Sequence, residues 1–490
     1  MRSSTGDCYW LRSDELEFAS VITTLKIIGL SEMPSLIVVA YAVAPGPGGP
    51  EGHVNARFLQ ALARYWPSQV TVITAGDSPN HDADRLLSEL PNWRFHTLGE
   101  CGDLGHELST YNQLALRGLR TFREKKSWSI FAKVNNRLSY WKTGQSLKAT
   151  SWEAAATRVL RKELSINPDS IVYSRALPFT SVAAVAPLRG SKGFRWIVNI
   201  NDPMPPALLP GLYQFERWTN RRINSRFKKM LPLIDAFTFP CQNLRRIQLE
   251  SFPEMSRVPI PIFPHITKRI HSNQSGLAHS RDTNKSLNIV FSGTMRKNRV
   301  REELRSGLEE FTRMAPELAK RTILSFHLAR PNPYAQQFIA GLPITTRMTI
   351  GMFDDDLDQA LLEADVLLDI ESEPDKHLLL TKVVNYQGFE KPIWAICEPG
   401  GTTWNLIDQN GSGYVTRIGD RGGIVKTLNQ IHAEWTAGTL LQRKPSKELV
   451  GRFSAKRQVE DLLKLCEYLR ADITHPHEIT HPFLLATESV

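Results

Sequence analysis

From Ser35 to Val43 the chain reads SLIVVAYAV, an almost unbroken apolar run. A run of that kind predicts a strand buried on both faces, as in a parallel sheet. It passes into the polar loop PGPGGPEGH, then into VNARFLQALARYW, whose apolar positions recur at helical spacing, and then into a second apolar run, QVTVITAG. Strand, helix and strand in that order predict a βαβ opening. A third short strand is expected near Trp93 to Leu98. After Pro168 the alternation resumes with SIVYS, a helix from Pro178 to Arg189, FRWIVNI, the loop NDPMPPALLP, a helix over roughly Tyr213 to Met230, DAFTF and QNLRRIQLE.

A second series of apolar runs follows: LNIVFSG, TILSFHLA, TRMTIG, DVLLDI, IWAIC and a strand near Tyr414, again separated by helical stretches. The pattern predicts an α/β protein of two Rossmann-like units. The expected boundaries are a flexible extension over 1–32, an N-terminal unit over 33–267, a polar linker over 268–286, a C-terminal unit over 287–450, a helix over 451–472 and a tail over 473–490. A length of 490 residues fits two or three domains.

One stretch breaks the alternation. Residues 108–163 read as a basic helical insertion. Between Arg117 and Lys148 nine Lys and Arg stand against Glu124 alone, with Phe122, Trp128, Phe131, Tyr140 and Trp141 interleaved. Basic residues with aromatics fit the surface of an anionic membrane. They also fit a solvated helix pair with its aromatics turned to the core. No nucleic-acid-binding motif accompanies them, so nucleic acid is not an expected partner.

The net charge of +10 and pI of about 9.3 favour a polyanionic partner over an acidic or neutral one, although a solvated basic surface gives the same numbers. The five cysteines are scattered, with no CxxC, which suits a reducing cytosol. No apolar run approaches the roughly 18 residues needed to span a bilayer. With Asp14, Glu15 and Glu17 before a short apolar run that Lys26 breaks, residues 1–32 are not expected to be a signal peptide. The expected location is cytoplasmic, at the inner face of the cell membrane if the basic stretch meets lipid.

Candidate chemistry lies in the loops that follow strands. Gly48 and Gly49 sit in a glycine–proline loop that opens a helix, where backbone N–H groups can approach a phosphate or sugar. The spacing is GxGGxxG and not the dinucleotide fingerprint, so an NAD reading rests only on Asp77 after the second strand. His53 begins the helix below that loop and is either a substrate contact or structural. In the second half, Gly293 is followed by Arg296 and Lys297, small residues and then cations that suit a diphosphate. Arg299 and Arg301 read as helix-surface charges. Lys382 starts a helix after an acidic loop holding Glu371 and Glu373, which would hydrogen-bond sugar hydroxyls or lie exposed. Gly400, Gly401 and Thr402 form another turn at a helix start. HExxH, GxSxG, the GxxxxGK[ST] loop and zinc spacing are absent, and no metal site is expected.

These motifs together resemble the GT-B glycosyltransferases, in particular the retaining group that uses nucleotide sugars in cell-surface polysaccharide synthesis. The resemblance covers about 34–470. It rests on HVNARFLQALARYWPSQVTVIT after the Gly-Gly loop, WIVNINDPMPP, FSGTMRKNRVREEL and TKVVNYQGFEKPIWAI. It implies two Rossmann-like domains facing across a cleft, and transfer of a sugar from a nucleoside-diphosphate sugar to the hydroxyl of a sugar or lipid-linked acceptor. Arg296 and Lys382 would stabilise the leaving diphosphate. Gly48, Gly49, Gly293, Lys297, Glu371, Glu373, Asn385, Gly400, Gly401 and Thr402 would bind the donor, with His53 and Asp202 on the acceptor side. Neither metal nor other cofactor is implied. Many members carry two glutamates with seven residues between them, the second on the donor ribose. Here Asn385 holds that position and His377 stands eight residues before it. Three other readings stay open: a non-catalytic sugar or nucleotide binder, a nucleotide-sugar epimerase and an NAD-dependent dehydrogenase.

Overall fold

In the computed structural model the apolar runs become two separate sheets. The structure describes residues 35–43, 51–75, 93–98, 134–190, 193–209, 217–268, 286–352 and 354–471. The extension, the tail and nearly all of the linker lie outside them.

The first sheet holds β1 (Leu36–Val39), β2 (Val70–Ala75), β3 (Arg94–Leu98), β4 (Ile171–Arg175), β5 (Arg195–Asn199) and β6 (Ala236–Thr238) in the order β3-β2-β1-β4-β5-β6. The second holds β7 (Leu287–Gly293), β8 (Thr322–Leu328), β9 (Thr345–Ile350), β10 (Val366–Ile370), β11 (Ile393–Cys397) and β12 (Gly413–Arg417) in the order β12-β11-β10-β7-β8-β9. Every pairing in both sheets is parallel. In each half the chain runs outward for three strands, returns to the centre and runs out the other way. The reversals fall between β1 and β4 and between β7 and β10. Such a reversal opens a crevice at the carboxyl ends of the two central strands, which is where doubly wound sheets bind ligands.

The central strands are buried on both faces: all four residues of β1 and all five of β4, β10 and β11. This is the physical meaning of the uninterrupted apolar runs. The helix Leu147–Ile166 carries Trp152, Ala156, Leu160 and Leu164 at four-residue spacing, all buried in the N-terminal core. It is the crossover that returns the chain from β3 to β4, so the basic stretch gives way to a core helix at Leu147. Ser146 caps it, accepting a hydrogen bond from the Ala149 N–H at 3.2 Å.

Two segments of the second half belong in space to the first. The last helix, Ala455–Ala471, buries Val459, Leu462, Cys466 and Leu469 against Leu36, Val38, Phe58 and Leu62 of the first sheet and its helix. Leu378, Leu379, Val383 and Val384, around the helix Thr381–Gln387, join the N-terminal hydrophobic cluster. The two units thus pack on each other along the segment that carries Lys382 and Asn385.

Candidate functional site

β7 ends at Ser292–Gly293. Gly293 has φ of +112°, a conformation that side chains disfavour, and a Cβ there would lie 3.8 Å from Lys382 Cδ. The Tyr386 hydroxyl fixes this turn: it accepts from the Ser292 N–H at 2.9 Å and lies 3.0 Å from Ser292 Oγ. The tyrosine thereby locks the helix Thr381–Gln387 beside the end of β7. On that helix Lys382 forms an ion pair with Asp369 of β10, and its ammonium lies 4.2 Å from the centre of the Phe291 ring. Asp369 is fully buried and the Lys382 side chain is 15% exposed. Burial pushes the Lys382 ammonium below its ordinary range, against the pull of Asp369.

Asp369 is one of three buried carboxylates at this strand end. Glu371 is also fully buried, accepts a hydrogen bond from Thr403 Oγ1, and is driven well above the usual carboxylate range by burial and by Asp369. Asp375 closes a capping box with Ser372 and accepts from Arg299 Nε and Nη2 at 3.0 and 2.9 Å. Arg301 donates to the Glu371 carbonyl at 2.8 and 3.2 Å. Arg299 and Arg301, expected as helix-surface charges, are instead drawn inward. The loop after β7 folds over the end of β10, and buried carboxylates demand cations. Although burial works against it, the Arg299 guanidinium is held above its ordinary range by Asp375, Asp369 and Glu371.

The other expected residues divide. Arg296 and Lys297 are exposed on the same loop; Arg296 forms no ion pair among the described residues, and Lys297 lies 5.1 Å from the Tyr334 ring centre. Glu373 is exposed, 75% for its side chain, and pairs with Lys376 at 3.8 Å. Gly400 takes φ of +71°, and Thr402 is buried with its hydroxyl donating to the Lys376 carbonyl at 3.2 Å. Asn243 of the N-terminal unit reaches this turn, 3.2 Å from Thr402 Oγ1 and 3.3 Å from the Lys376 carbonyl. Asn385 Oδ1 accepts from Arg57 Nη1 of the N-terminal unit, and the same Arg57 nitrogen also meets the Ile266 carbonyl at 3.4 Å. Gly48 and Gly49 lie outside the described residues. His53 is exposed on the helix Glu51–Tyr65, and Asp202 is half-buried in the loop after β5.

A second cluster, not singled out in the sequence, faces the first. Arg175 ends β4 and is 2% exposed. It lies 3.9 Å from Glu51 Oε1, with its guanidinium 5.1 Å from the Phe58 ring centre and two of its nitrogens without a hydrogen-bond partner. Glu51 accepts from Asn201 Nδ2 at 3.1 Å. Its carboxyl is pushed up to about 7, chiefly by burial, against Arg175 and with Asp202 adding to the rise. His265 is buried beside these groups and pushed down to about 3 by burial and by the charges of Arg175 and Arg57. The usable signal was a charged residue closing a buried strand, IVYSR, where a parallel sheet meets its ligand. Among the described residues no group of His, Cys, Asp and Glu is arranged to hold a metal ion, and no helix is long and apolar enough to cross a membrane. Cys241, Cys397 and Cys466 are buried free thiols.

No family model and no curated protein matches this sequence. Solved structures do match in shape. A sucrose-phosphate synthase from Thermosynechococcus elongatus superposes with a TM-score of 0.56 over 90% of this chain and 100% of its own, at 13% identity. An α,α-trehalose-phosphate synthase (UDP-forming) from Burkholderia vietnamiensis gives 0.55 over 90% and 99%, also at 13% identity. The Anabaena protein HepE, in complex with UDP-glucose, gives 0.54 over 88% and 100%, at 10% identity. Full-length agreement at such low identity is agreement of fold: two Rossmann-like domains facing across a cleft, the GT-B architecture.

Proposed function

We propose that this protein is a glycosyltransferase that moves a hexosyl unit from a nucleoside-diphosphate sugar, with UDP the favoured nucleotide, to the hydroxyl of a sugar or lipid-linked acceptor. The observation that carries the reading is the meeting of two switch-point crevices across one interface. The C-terminal one offers exposed cations, Arg296 and Lys297, above a glycine turn, and buried carboxylates behind it. Proteins of similar shape include a UDP-forming synthase and a complex with UDP-glucose, which supports the choice of nucleotide.

In this reading Arg296 and Lys297 take the negative charge that grows on the diphosphate as the glycosidic bond breaks. Lys382, held below Gly293 by Asp369, adds its charge from the floor of the turn. Asp369 and Glu371 stay buried behind this turn as its charge support, and the exposed Glu373 is the carboxylate placed to meet sugar hydroxyls. His53, Asp202 and Glu51 line the acceptor side. Packing of the two units excludes water that would hydrolyse the donor. The reading assigns no metal and no cofactor. It follows the retaining group in stereochemistry, and it places the protein at the cytoplasmic face of a membrane in surface polysaccharide or glycoconjugate synthesis.

A thermal-shift series with nucleoside diphosphates tests it. UDP is expected to raise the melting temperature of the wild type. Arg296→Ala, an exposed residue, is expected to weaken UDP binding about tenfold or more without changing the ligand-free melting temperature. Stabilisation by none of the diphosphates would sink the donor site. Stabilisation by NAD alone would move the protein to the dehydrogenases.

A further inference from the structure

The helix over 134–143 exposes Val134 at 48%, Leu138 at 51% and Trp141 at 61%. Steps of four and three residues put all three on one helical face. Arg137 and Lys142 are exposed beside them. The opposite face is anchored. Ser139 is buried with its hydroxyl 3.0 Å from Thr150 Oγ1, and Asn136 Oδ1 accepts from the Leu147 N–H at 2.8 Å. The apolar face is therefore presented from a firm support, the crossover helix Leu147–Ile166.

Next to it runs the helix Arg217–Met230, RWTNRRINSRFKKM, with six basic residues and no acidic one. The Arg222 guanidinium lies 5.7 Å from the Trp141 ring centre. Lys229, two turns on, shares the Arg222 face and is exposed like it. Arg226 ties this helix to the turn after residue 143 and to the crossover helix, donating to Gln145 Oε1 at 2.5 Å and pairing with Glu153 at 2.5 Å. The carboxylate that meets this surface is thus already taken.

We infer that this face docks the protein on a bilayer surface rich in anionic lipid. Val134, Leu138 and Trp141 enter the boundary between headgroups and acyl chains, and Arg137, Lys142, Arg222 and Lys229 meet the headgroup phosphates. The occupant follows from the charge: among the described residues, the charged groups flanking the three apolar side chains are positive. A tryptophan, apolar in body with one N–H, suits that boundary. Small apolar area combined with one-sign charge is how interfacial helices bind lipid, whereas a protein partner of this size would call for a wider apolar core. The inference does not rest on the sugar-transfer reading.

The test is sedimentation of the full chain with vesicles of phosphatidylcholine alone or equimolar phosphatidylcholine and phosphatidylglycerol, with no nucleotide present. Binding to the anionic vesicles is expected, about tenfold weaker or more on phosphatidylcholine alone and at high salt. Trp141→Ala with Leu138→Ser, and separately Arg137→Glu with Lys142→Glu, should each lower binding about tenfold while the thermal melt stays at the wild-type value. Failure of the wild type to pellet with anionic vesicles overturns the inference. So does full binding by the Trp141/Leu138 variant, or conversion of a wild-type dimer to monomer by that variant, which would assign the face to self-association.

Discussion

At the end of β10 three buried carboxylates, Asp369, Glu371 and Asp375, face Lys382 and Arg299; across the interface, at the end of β4, the buried guanidinium of Arg175 faces the carboxyl of Glu51, with Asp202, Arg57 and His265 close by. In the first cluster, burial and then the neighbouring charge of Asp369 drive a carboxyl, Glu371, toward its neutral form. In the second, burial first and then the charges of Arg175 and Arg57 hold the imidazole of His265 neutral. Each cluster thus gives up charge on burial, the first by protonating a carboxyl and the second by leaving an imidazole unprotonated. What the contrast teaches is that Lys382 is committed in a way that Arg296 is not. The lysine neutralises its own domain, whereas the arginine remains exposed for a ligand.

The largest expected effect tests that commitment. Lys382→Ala takes from the buried Asp369 its direct ion-pair partner, and removal of one partner of a buried pair costs about 3–5 kcal/mol. Urea denaturation should show that loss, and adding Asp369→Asn should recover most of it. A loss below about 1 kcal/mol would mean the pair contributes little, and the contrast between Lys382 and Arg296 would fail.

The next effect belongs to the other cluster. Glu51 binds its proton more tightly folded, with its carboxyl at about 7, than unfolded, where the ordinary value is 4.5. Between those values the folded state holds more protons than the unfolded one, so this group's contribution to stability is full below about pH 4.5 and declines as pH rises through about 7. The shift corresponds to about 3 kcal/mol at most. Glu51→Gln should therefore gain stability relative to wild type as pH rises from 5 to 8, by up to about that amount. A constant difference between the two proteins across this range would show that Glu51 is ionised throughout.

Much of the fold was legible because burial on both faces writes itself as an apolar run: β1, β4, β10 and β11 are such runs. In the C-terminal unit the placing of Gly293, Arg296 and Lys382 beside one strand end was legible, because each stands in a local strand–loop–helix pattern. It was not legible at Asp369, which sits inside the run VLLDI, nor at Arg299 and Arg301, whose burial depends on a loop folding over a neighbouring strand end. The N-terminal cluster was harder still. Glu51 and Arg57 share one helix, but Arg175 and His265 come from two other segments, and only the packing of β1, β4 and the chain after β6 brings the three together.

Asn385 gives the smallest and most discriminating effect, because it touches both clusters. It sits on the helix of Lys382 and accepts a hydrogen bond from Arg57, whose guanidinium burial pushes below its ordinary range. A hydrogen bond to a charged group contributes about 1–3 kcal/mol, and Arg57 keeps the Ile266 carbonyl when the amide is lost, so Asn385→Ala should cost about 1–2 kcal/mol. The loss should be local. Amide exchange should quicken along Glu51–Tyr65 and Thr381–Gln387, while the strands of both sheets keep their protection. Asn385→Glu should do the opposite, since a carboxylate against Arg57 exchanges a neutral acceptor for a charged one and slows exchange in both helices. Unchanged exchange in the alanine variant would mean that apolar packing of Leu378, Leu379, Val383 and Val384 alone holds the two units together, and that the two clusters are neighbours without being coupled.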